Sequence, residues 1–281
     1  MHEFLVSIEE KSRRNIPVEE GDYINQEDQG LLYCGKCQTR KQGVYKTAFG
    51  ELRPYCLCKC AREKRDREEA EQRAVEFAYM VKRNKSVCYP KLERAEMLEK
   101  NFQNAEDSKL IQIARNYVEN FPEMLKAGKG LMLYGGTGAG KSYAAVCIVN
   151  ALLDKGYPCL VTNFARLRNE ISDTWEGRQD YIDDLNRFSL LVLDDLGAES
   201  RSDYMGEIVH SIIDSRCRAA LPTIVTTNLT AKQFTSQDDI SKSRIYSRLF
   251  EMAIPVEVKD ADRRRDKMAE EYKKYAKLLG L

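Results

Sequence analysis

The sequence lacks the features of a membrane or exported protein. None of its apolar runs approaches the roughly 20 residues that a membrane-spanning helix needs, and its first residues show no basic segment followed by a long apolar one. It also lacks an excess of charge, because 45 Lys and Arg residues nearly balance 44 Asp and Glu residues and leave a net charge of +1. That balance argues neither for nor against nucleic acid as a partner.

Cysteine, by contrast, is abundant. Nine cysteines in a chain with no visible export signal indicate a reducing compartment, with thiols or metal sites rather than disulfides. We therefore expect a cytoplasmic protein. The length of 281 residues, of which 43% are hydrophobic, suffices for one large domain or for a main domain with an appendage.

The most specific motif is a glycine-rich loop between a predicted strand and a predicted helix. Gly135, Gly140, Lys141 and Ser142 fit the G-x-x-x-x-G-K-[ST] spacing of a P-loop. Glycines let backbone N–H groups turn toward a polyphosphate, the lysine neutralises the β- and γ-phosphates, and the serine hydroxyl holds Mg²⁺. The loop therefore predicts a site for a nucleoside triphosphate. Its predicted binding residues are Gly135, Gly136, Thr137, Gly138, Ala139, Gly140, Lys141, Ser142 and Tyr143.

Five cysteines near the N-terminus form a second informative group. Cys34 and Cys37 make a C-x-x-C pair, and Cys56, Cys58 and Cys60 stand at alternate positions after a segment that reads as a hairpin. Such spacing lets thiolates reach one tetrahedral metal ion. We predict a structural Zn²⁺ bound by Cys34, Cys37, Cys58 and Cys60, and leave open whether Cys56 replaces one of the last two. Free, partly buried thiols are the alternative.

The pattern around the cysteines suggests two regions. Residues before Tyr33 are expected to be irregular, whereas residues 61–85 are highly charged with an apolar stripe, which predicts a long helix ending near Tyr89-Pro90. We expect residues 1–90 to form a zinc-binding and helical region, and residues 91–281 to form the nucleotide-binding domain. The helix is either a docking surface for a partner or a solvated connector.

Beyond the P-loop, short apolar strands alternate with helices. The predicted strands cover residues 131–134, 157–162, 190–193, 222–227 and 253–258. This alternation predicts a parallel sheet with helices on both faces and a ligand at the carboxyl ends of the strands. Asp194 and Asp195 follow the third strand, where the first acid can hold Mg²⁺ through water and the second can orient or deprotonate the attacking water. Thr226, Thr227 and Asn228 end the fourth strand, where polar groups could sense a γ-phosphate.

Together, the P-loop, Asp194-Asp195, Thr226-Thr-Asn228 and the stretch Ser-Arg-Ile-Tyr-Ser-Arg-Leu at 243–249 resemble an AAA+ ATPase. More narrowly, residues 100–265 resemble the DnaC/DnaI helicase loaders and the related IstB transposition helper ATPases. The resemblance implies a three-layer α/β/α domain with strand order 5-1-4-3-2 and an ATP site at a subunit interface. It also implies catalytic roles for Lys141, Asp194, Asp195, Asn228 (sensor 1) and Arg248 (arginine finger, one turn after Arg244), with Mg²⁺ held by Ser142 and Asp194.

The sequence departs from this family pattern at two places. Asp195 stands where many AAA+ proteins have glutamate, which predicts slow turnover. The chain after the fifth strand is too short for the usual helical lid, and the sensor-2 arginine remains open among Arg263, Arg264 and Arg265.

The same resemblance implies a partner and a function. In this family, the helical segment at residues 163–187 contributes to single-stranded DNA binding, here with charge from Arg166, Arg168, Arg178 and Arg187 and a stacking surface from Trp175. We expect an ATPase that assembles as an oligomer on single-stranded DNA and loads a replicative helicase hexamer (DnaB/DnaC type). The alternative is an IstB-like ATPase that assists a transposase at target DNA. A P-loop small-molecule kinase is disfavoured by the Asp194-Asp195 pair and by Arg244 and Arg248.

Overall fold

The structure is a computed structural model that describes residues 17–48, 50–172, 177–197, 203–235, 240–259, 272–273 and 275–280. The chain divides into two compact units, Met1–Phe77 and Ala78–Leu281. The helix α1 (Lys59–Cys88) is the long helix that the charged, striped sequence predicts, and the division falls within it. Within the described residues, no helix combines the length and the apolar character that crossing a membrane requires.

The first unit contains two short antiparallel hairpins before α1. Strand β1 (Tyr23–Asn25) pairs with β2 (Leu31–Tyr33), and β3 (Tyr45–Thr47) pairs with β4 (Gly50–Leu52). The hairpin expected between the two cysteine groups is β3–β4, so that expectation is confirmed. The expectation of an irregular chain before Tyr33 is wrong, because β1 and β2 lie there. Strands of three residues are too short to show an alternating apolar pattern.

A buried ion pair substitutes for much of the apolar core that this unit lacks. The Lys41 ammonium lies 2.5 Å from Asp22 Oδ2, and both side chains are 1% exposed. Burial alone would lower the pKa of Lys41, but the hydrogen bond and charge of Asp22 outweigh it and raise the pKa. The hydrogen bond from Lys41 likewise lowers the pKa of Asp22. The pair therefore stays charged and joins the turn before β1 to the segment after β2.

The second unit is built on one five-stranded parallel sheet. Its strands are β5 (Gly130–Gly135), β6 (Cys159–Asn163), β7 (Leu190–Leu196), β8 (Thr223–Thr227) and β9 (Ala253–Val258), in the order β6-β7-β8-β5-β9. Counted along this unit, the order is 5-1-4-3-2, so the prediction is confirmed. The third strand is longer than predicted, because β7 continues through Asp194 and Asp195 to Leu196.

Helices cover both faces of this sheet, as expected for a three-layer α/β/α domain. Leu131 and Leu133 of β5 belong to one buried apolar cluster, and Met132 between them belongs to the other. The helices are α2 (Arg94–Glu99), α3 (Lys109–Glu119), α4 (Phe121–Ala127), α5 (Lys141–Asp154), α6 (Phe164–Ser172), α7 (Arg178–Asp184), α8 (Asp203–Arg218), α9 (Ala231–Thr235) and α10 (Ile240–Met252), with a 3₁₀ turn at Leu185–Arg187. Residues 109–127 form two helices, α3 and α4, and Pro122 lies in the first turn of α4.

A buried arginine holds the amino ends of β7 and β8. Arg216 is fully buried, and its guanidinium donates to the carbonyls of Leu185 (2.9 Å), Phe188 (2.7 Å) and Pro222 (2.6 Å) and to Thr223 Oγ1 (3.2 Å). Burial lowers its pKa to about 10, which still leaves the group charged at neutral pH. These bonds fix one end of the sheet, and the candidate site lies at the other.

Candidate nucleotide-binding and metal-binding sites

The glycine-rich loop leads directly from β5 into the first turn of α5. Gly135 has φ +132°, and a Cβ there would lie 2.3 Å from the Val258 carbonyl oxygen, so only glycine fits beside β9. Gly140, the residue before α5, has φ +87° in the left-handed region. The loop therefore brings the amino end of a helix, with its free N–H groups, to the carboxyl edge of the sheet, which is a favourable place for phosphate.

The P-loop lysine is held over this loop. Lys141 is 5% exposed. Its ammonium donates to the carbonyls of Gly135 (3.0 Å) and Gly136 (2.6 Å) and to Asn228 Oδ1 (2.8 Å). The structure thus brings together the predicted lysine and the predicted sensor at the end of β8. These three acceptors are neutral oxygens. Phosphate oxygens are charged, so they would compete strongly with them for the Lys141 ammonium.

The two predicted acids lie at the same edge. The Thr226 hydroxyl donates a 2.6 Å hydrogen bond to Asp194 Oδ1, and Thr226 Oγ1 accepts a 3.0 Å hydrogen bond from the Asp195 N–H. Asp195 has φ +59°, and the pairing of β7 with β8 shifts register between Leu193 and Leu196. The two carboxylates therefore lie beside a bulge in β7, which is not predictable from the residues around it.

These side chains line one cavity of about 490 Å³, a size typical of small-molecule sites. The lining includes the P-loop from Thr137 to Tyr143, the Asp194-Asp195 pair and Asn228. It also includes residues between 89 and 111, Asn163 at the end of β6 and Arg166 on α6. Among the residues between 89 and 111 are Tyr89, Met97, Lys100 and Ile111.

Sequence reasoning missed the residue that holds the lining segment between residues 89 and 100 in place. Asn150 on α5 is 5% exposed, and its Nδ2 donates to the carbonyls of Met97 (2.7 Å) and Lys100 (2.6 Å). Its Oδ1 accepts a 2.8 Å hydrogen bond from the Tyr89 hydroxyl, whose pKa is raised by burial. The signal was present, because Asn150 is a polar residue inside the apolar run 144–153 of the P-loop helix.

The structure does not bring Arg248 to this cavity. Its Nη1 lies 2.9 Å from Glu251 Oε2 and its Nε lies 3.2 Å from Asp214 Oδ1, and the hydrogen bond with Glu251 raises its pKa. Arg244, one turn earlier on α10, is exposed. Any role of Arg248 at an ATP site therefore concerns another copy of the chain and requires that these ion pairs open.

Several predicted residues fall outside what the structure describes. Trp175 and the candidates Arg263, Arg264 and Arg265 lie in undescribed segments, as do the side chains of Arg168 and Arg178. Of the remaining arginines predicted to contact DNA, Arg166 forms an ion pair with Glu93. Arg187 is exposed, with its guanidinium 4.9 Å from the centre of the Phe188 ring and 3.7 Å from Asp184.

Four of the five N-terminal cysteines form a tight cluster. The Sγ atoms of Cys34, Cys37, Cys58 and Cys60 all lie within 4.8 Å of one another, so the predicted set is confirmed as a cluster. Cys56 lies outside it, with its thiol 3.8 Å from the Arg40 carbonyl. Sulfur atoms bound tetrahedrally to Zn²⁺ at about 2.3 Å are about 3.8 Å apart. The spacings of 3.6 Å (Cys34–Cys60) and 3.4 Å (Cys58–Cys60) are close to that value, so the cluster fits zinc.

The loop around the C-x-x-C pair is shaped for this convergence. A Cβ on Gly35 would lie 2.0 Å from the Gly21 carbonyl oxygen, so the turn needs glycine. The Gly35 N–H donates to Asp22 Oδ1 at 3.1 Å. Thr39 Oγ1 lies 3.1 Å from Cys37 Sγ, and this hydrogen bond, together with the backbone N–H groups of Cys60 and Thr39, lowers the pKa of the Cys37 thiol to about 5. The knuckle is thus anchored to the buried Asp22–Lys41 pair.

The fold and the cavity define an ATP-binding α/β/α domain of P-loop type, preceded by a four-thiol module. Comparison with known proteins then gives the family: the chain belongs to the IstB-like ATP binding proteins, whose family model matches residues 62–270. The fold, the strand order and the family resemblance expected from the sequence are therefore confirmed.

Individual relatives narrow this picture. The chain is 27% identical over 169 residues to the replicative helicase loader DnaI of Bacillus subtilis (strain 168), covering 55% of this chain and 53% of DnaI. It is 30% identical over 126 residues to the replicative helicase loader DnaC of Escherichia coli (strain K12), covering 43% and 50%. A solved structure of DnaI aligns with 27% identity and a TM-score of 0.52, over 64% of this chain and 99% of that one. The chain thus spans about half the length of the curated relatives it matches.

Proposed function

We propose that this protein is an ATP-hydrolysing loader of a replicative helicase. The single observation that carries the ATPase part is the meeting of Lys141, Asn228 and the Asp194-Asp195 pair around one cavity. The loader part is supported by relatives that are themselves named replicative helicase loaders. Those names also favour a loader over the alternative of an IstB-like transposase helper.

In the proposed reaction, the β- and γ-phosphates of ATP replace the neutral acceptors of the Lys141 ammonium. Mg²⁺ would be held by the Ser142 hydroxyl and the Asp194 carboxylate, and when bound it supplies charge neutralisation to the phosphates. Asp195 accepts the proton of the attacking water. Asn228, which contacts Lys141 at 2.8 Å, reports whether a γ-phosphate is present.

A neighbouring subunit completes the proposed site. Arg248 would leave Glu251 and Asp214 and reach the γ-phosphate of the next subunit's ATP, a contribution worth about 10³–10⁵ in rate where arginine fingers have been measured. Because two carboxylates hold Arg248 at 2.9 and 3.2 Å in the isolated chain, assembly has to supply the competing charge. This predicts slow ATP hydrolysis by the monomer and faster hydrolysis by an ATP-bound oligomer.

The zinc module and α1 are the proposed docking region for the helicase. The four clustered thiols would bind Zn²⁺ as thiolates, and the ion would stabilise a unit with few buried apolar side chains. Helix α1 adds an apolar stripe that is open to solvent, with Phe77 45% exposed. Single-stranded DNA is the second proposed partner, with the exposed Arg187 as one contact whose effect weakens at high salt.

One experiment tests the proposed partner. The full chain carrying Asp195→Asn, loaded with ATP, serves as bait in a lysate of its source organism, and Lys141→Ala serves as the matched control that cannot hold ATP. We expect ATP-dependent recovery of a hexameric replicative helicase with the first variant and none with the second. Recovery of a transposase would contradict the loader and support the IstB-like function of assisting a transposase. Recovery of neither would contradict loading but leave ATP hydrolysis, measured separately, unaffected.

A further inference from the structure

We infer that Thr226 is a positioning residue for hydrolysis, whose hydroxyl sets both carboxylates of the Asp194-Asp195 pair toward the cavity. The inference deepens the proposed ATPase function and rests on it. The sequence alone predicts that Thr226, like Thr227 and Asn228, could sense a γ-phosphate. Thr226 is fully buried and does not line the cavity, so its hydroxyl acts on the acids and not on a phosphate.

Two consecutive acids pose a geometric problem for a strand. Successive side chains in a regular strand point to opposite faces. The rule holds in β7 before the acids, because Leu190 and Val192 lie in one apolar cluster while Leu191 and Leu193 lie in the other. Continued without change, the alternation would turn Asp194 and Asp195 away from each other. Both nevertheless line the same cavity.

A bulge resolves the problem. Leu193 pairs with Val225 and Leu196 pairs with Thr227, so β7 advances three residues while β8 advances two. The extra residue lies at the acids, and Asp195 has φ +59°. Bulges of this kind re-aim a side chain next to active sites. Aspartate and asparagine tolerate the left-handed region better than other residues with a Cβ. That preference gives a physical reason for aspartate at 195, where many AAA+ proteins have glutamate.

The Thr226 hydroxyl holds the bulge closed. It donates to Asp194 Oδ1 at 2.6 Å and accepts from the Asp195 N–H at 3.0 Å, so one group fixes the first carboxylate and the backbone of the second acid. A hydroxyl has one donor and two acceptor positions, so both bonds form at once. Thr227 extends the same pattern, because its hydroxyl donates to the Leu196 carbonyl at 2.6 Å.

Loss of this hydroxyl should affect the chemical step more than nucleotide binding. Without it the Asp194 carboxylate can rotate away from the metal position, and the Asp195 N–H loses its partner. The contacts of the P-loop with the phosphates do not involve Thr226. We therefore expect lower kcat and weaker apparent Mg²⁺ affinity, with little change in nucleotide binding measured without Mg²⁺.

The test compares three variants of the full chain. Thr226→Val keeps the shape and removes the hydroxyl, and Thr226→Ser keeps the hydroxyl. Thr223→Val is the matched control, because Thr223 is also fully buried on β8 but bonds Arg216 at the opposite end of the strand. We measure kcat, KM, Mg²⁺ dependence of ATP-analogue binding, and Tm. Thr226→Val should lower kcat by about 10–100-fold, the usual effect of removing a group that orients a metal ligand, and Thr226→Ser should restore most of it.

The outcomes separate this inference from the proposed function. Wild-type Mg²⁺ dependence and kcat in Thr226→Val, an equal loss in Thr226→Ser, or an equal loss in Thr223→Val would each overturn the positioning role. If the wild-type chain hydrolyses no ATP, the proposed function fails instead. The Mg²⁺-dependent part of analogue binding then still decides whether Thr226 orients Asp194.

Discussion

The two units of this chain are stable for different reasons. The second unit has apolar clusters on both faces of a five-stranded sheet, and its polar site sits at one edge of a structure that is already packed. In the first unit, the buried apolar side chains among described residues are Leu31 and two cysteines of the thiol cluster. There a buried ion pair and a cluster of four thiols take the place of an apolar core. The comparison teaches that buried polar groups replace an apolar core in the first unit, whereas in the second unit they add to an apolar core.

Metal removal should have the largest effect, and only on the first unit. Zinc binding contributes about 10–16 kcal/mol of folding free energy in zinc-finger peptides, more than the apolar contacts of this unit can replace. Chelation, or Cys34→Ser, should therefore unfold residues of the first unit and leave the second folded. Limited proteolysis and hydrogen exchange, read separately for residues 17–77 and 78–280, check this.

Cys56→Ser is the control for the thiol cluster, because Cys56 lies outside it. It should leave zinc stoichiometry and the cleavage pattern unchanged. If chelation does not alter the cleavage pattern, the first unit does not need a metal ion to stay folded. The two units would then not differ in their dependence on metal.

The next largest effect concerns chemistry in the second unit. Asp195→Asn should lower kcat by about 10²–10⁴-fold, the usual contribution of a positioned general base, and leave ATP binding intact. Asparagine tolerates the left-handed backbone at this position, so Tm should stay close to the wild-type value. Pre-steady-state hydrolysis and equilibrium binding of ATP provide the readouts. Substantial turnover in this variant would assign the base elsewhere.

The strand order was predictable only through the family resemblance, whereas the periodicity of the sequence by itself predicted the edge of the sheet that holds the site. The runs before Asp194 and Asn228 are apolar enough to identify buried strands, and buried parallel strands place their following residues at one edge. The spacing of the P-loop residues is specific for phosphate binding, and the spacing of the four thiols is specific for metal binding, so both sites could be recognised in the sequence.

The features that were not predictable depend on contacts between distant segments. Nothing near Asp195 in the sequence announces a bulge, because the hydroxyl that bridges it is 31 residues away in Thr226. Asp22 and Lys41 are ordinary surface residue types, and only the folded hairpins bury them together. In the sequence, Arg216 is an ordinary charged residue near a helix end, and only the folded chain brings three carbonyls to its guanidinium.

Arg216 provides the third test, because it is a polar group used as structure inside the second unit. Arg216→Met keeps the length and apolar stem but leaves the carbonyls of Leu185, Phe188 and Pro222 without their donor. Each buried unsatisfied group costs about 1–3 kcal/mol, so the free energy of unfolding should fall by several kcal/mol. Chemical denaturation of the second unit gives the value.

The matched control for Arg216 is Arg218→Met, two residues along α8, whose side chain is 73% exposed and pairs with Asp214. It should change stability by less than about 1 kcal/mol, as for other exposed ion pairs. Equal losses in both variants would mean that buried polar bonds matter no more to this unit than surface charge.

The smallest expected effect is on stability, and it compares a left-handed backbone inside the candidate site with one outside it. Asp195 and Ala220 are both exposed residues with left-handed backbones, at φ +59° and +50°. For alanine this conformation costs about 1–2 kcal/mol, and a substitution by glycine removes that cost. Glycine is also more flexible in the unfolded chain, which takes back about 0.5–1 kcal/mol of the gain in stability. Ala220→Gly should thus stabilise the second unit slightly with unchanged kcat. Asp195→Gly should gain less, because aspartate tolerates the left-handed region, and should lose turnover. The two variants are compared by their Tm. If Asp195→Gly raises the Tm more than Ala220→Gly does, the backbone of Asp195 is strained, and the hydrogen bonds of Thr226 hold it in that strained conformation.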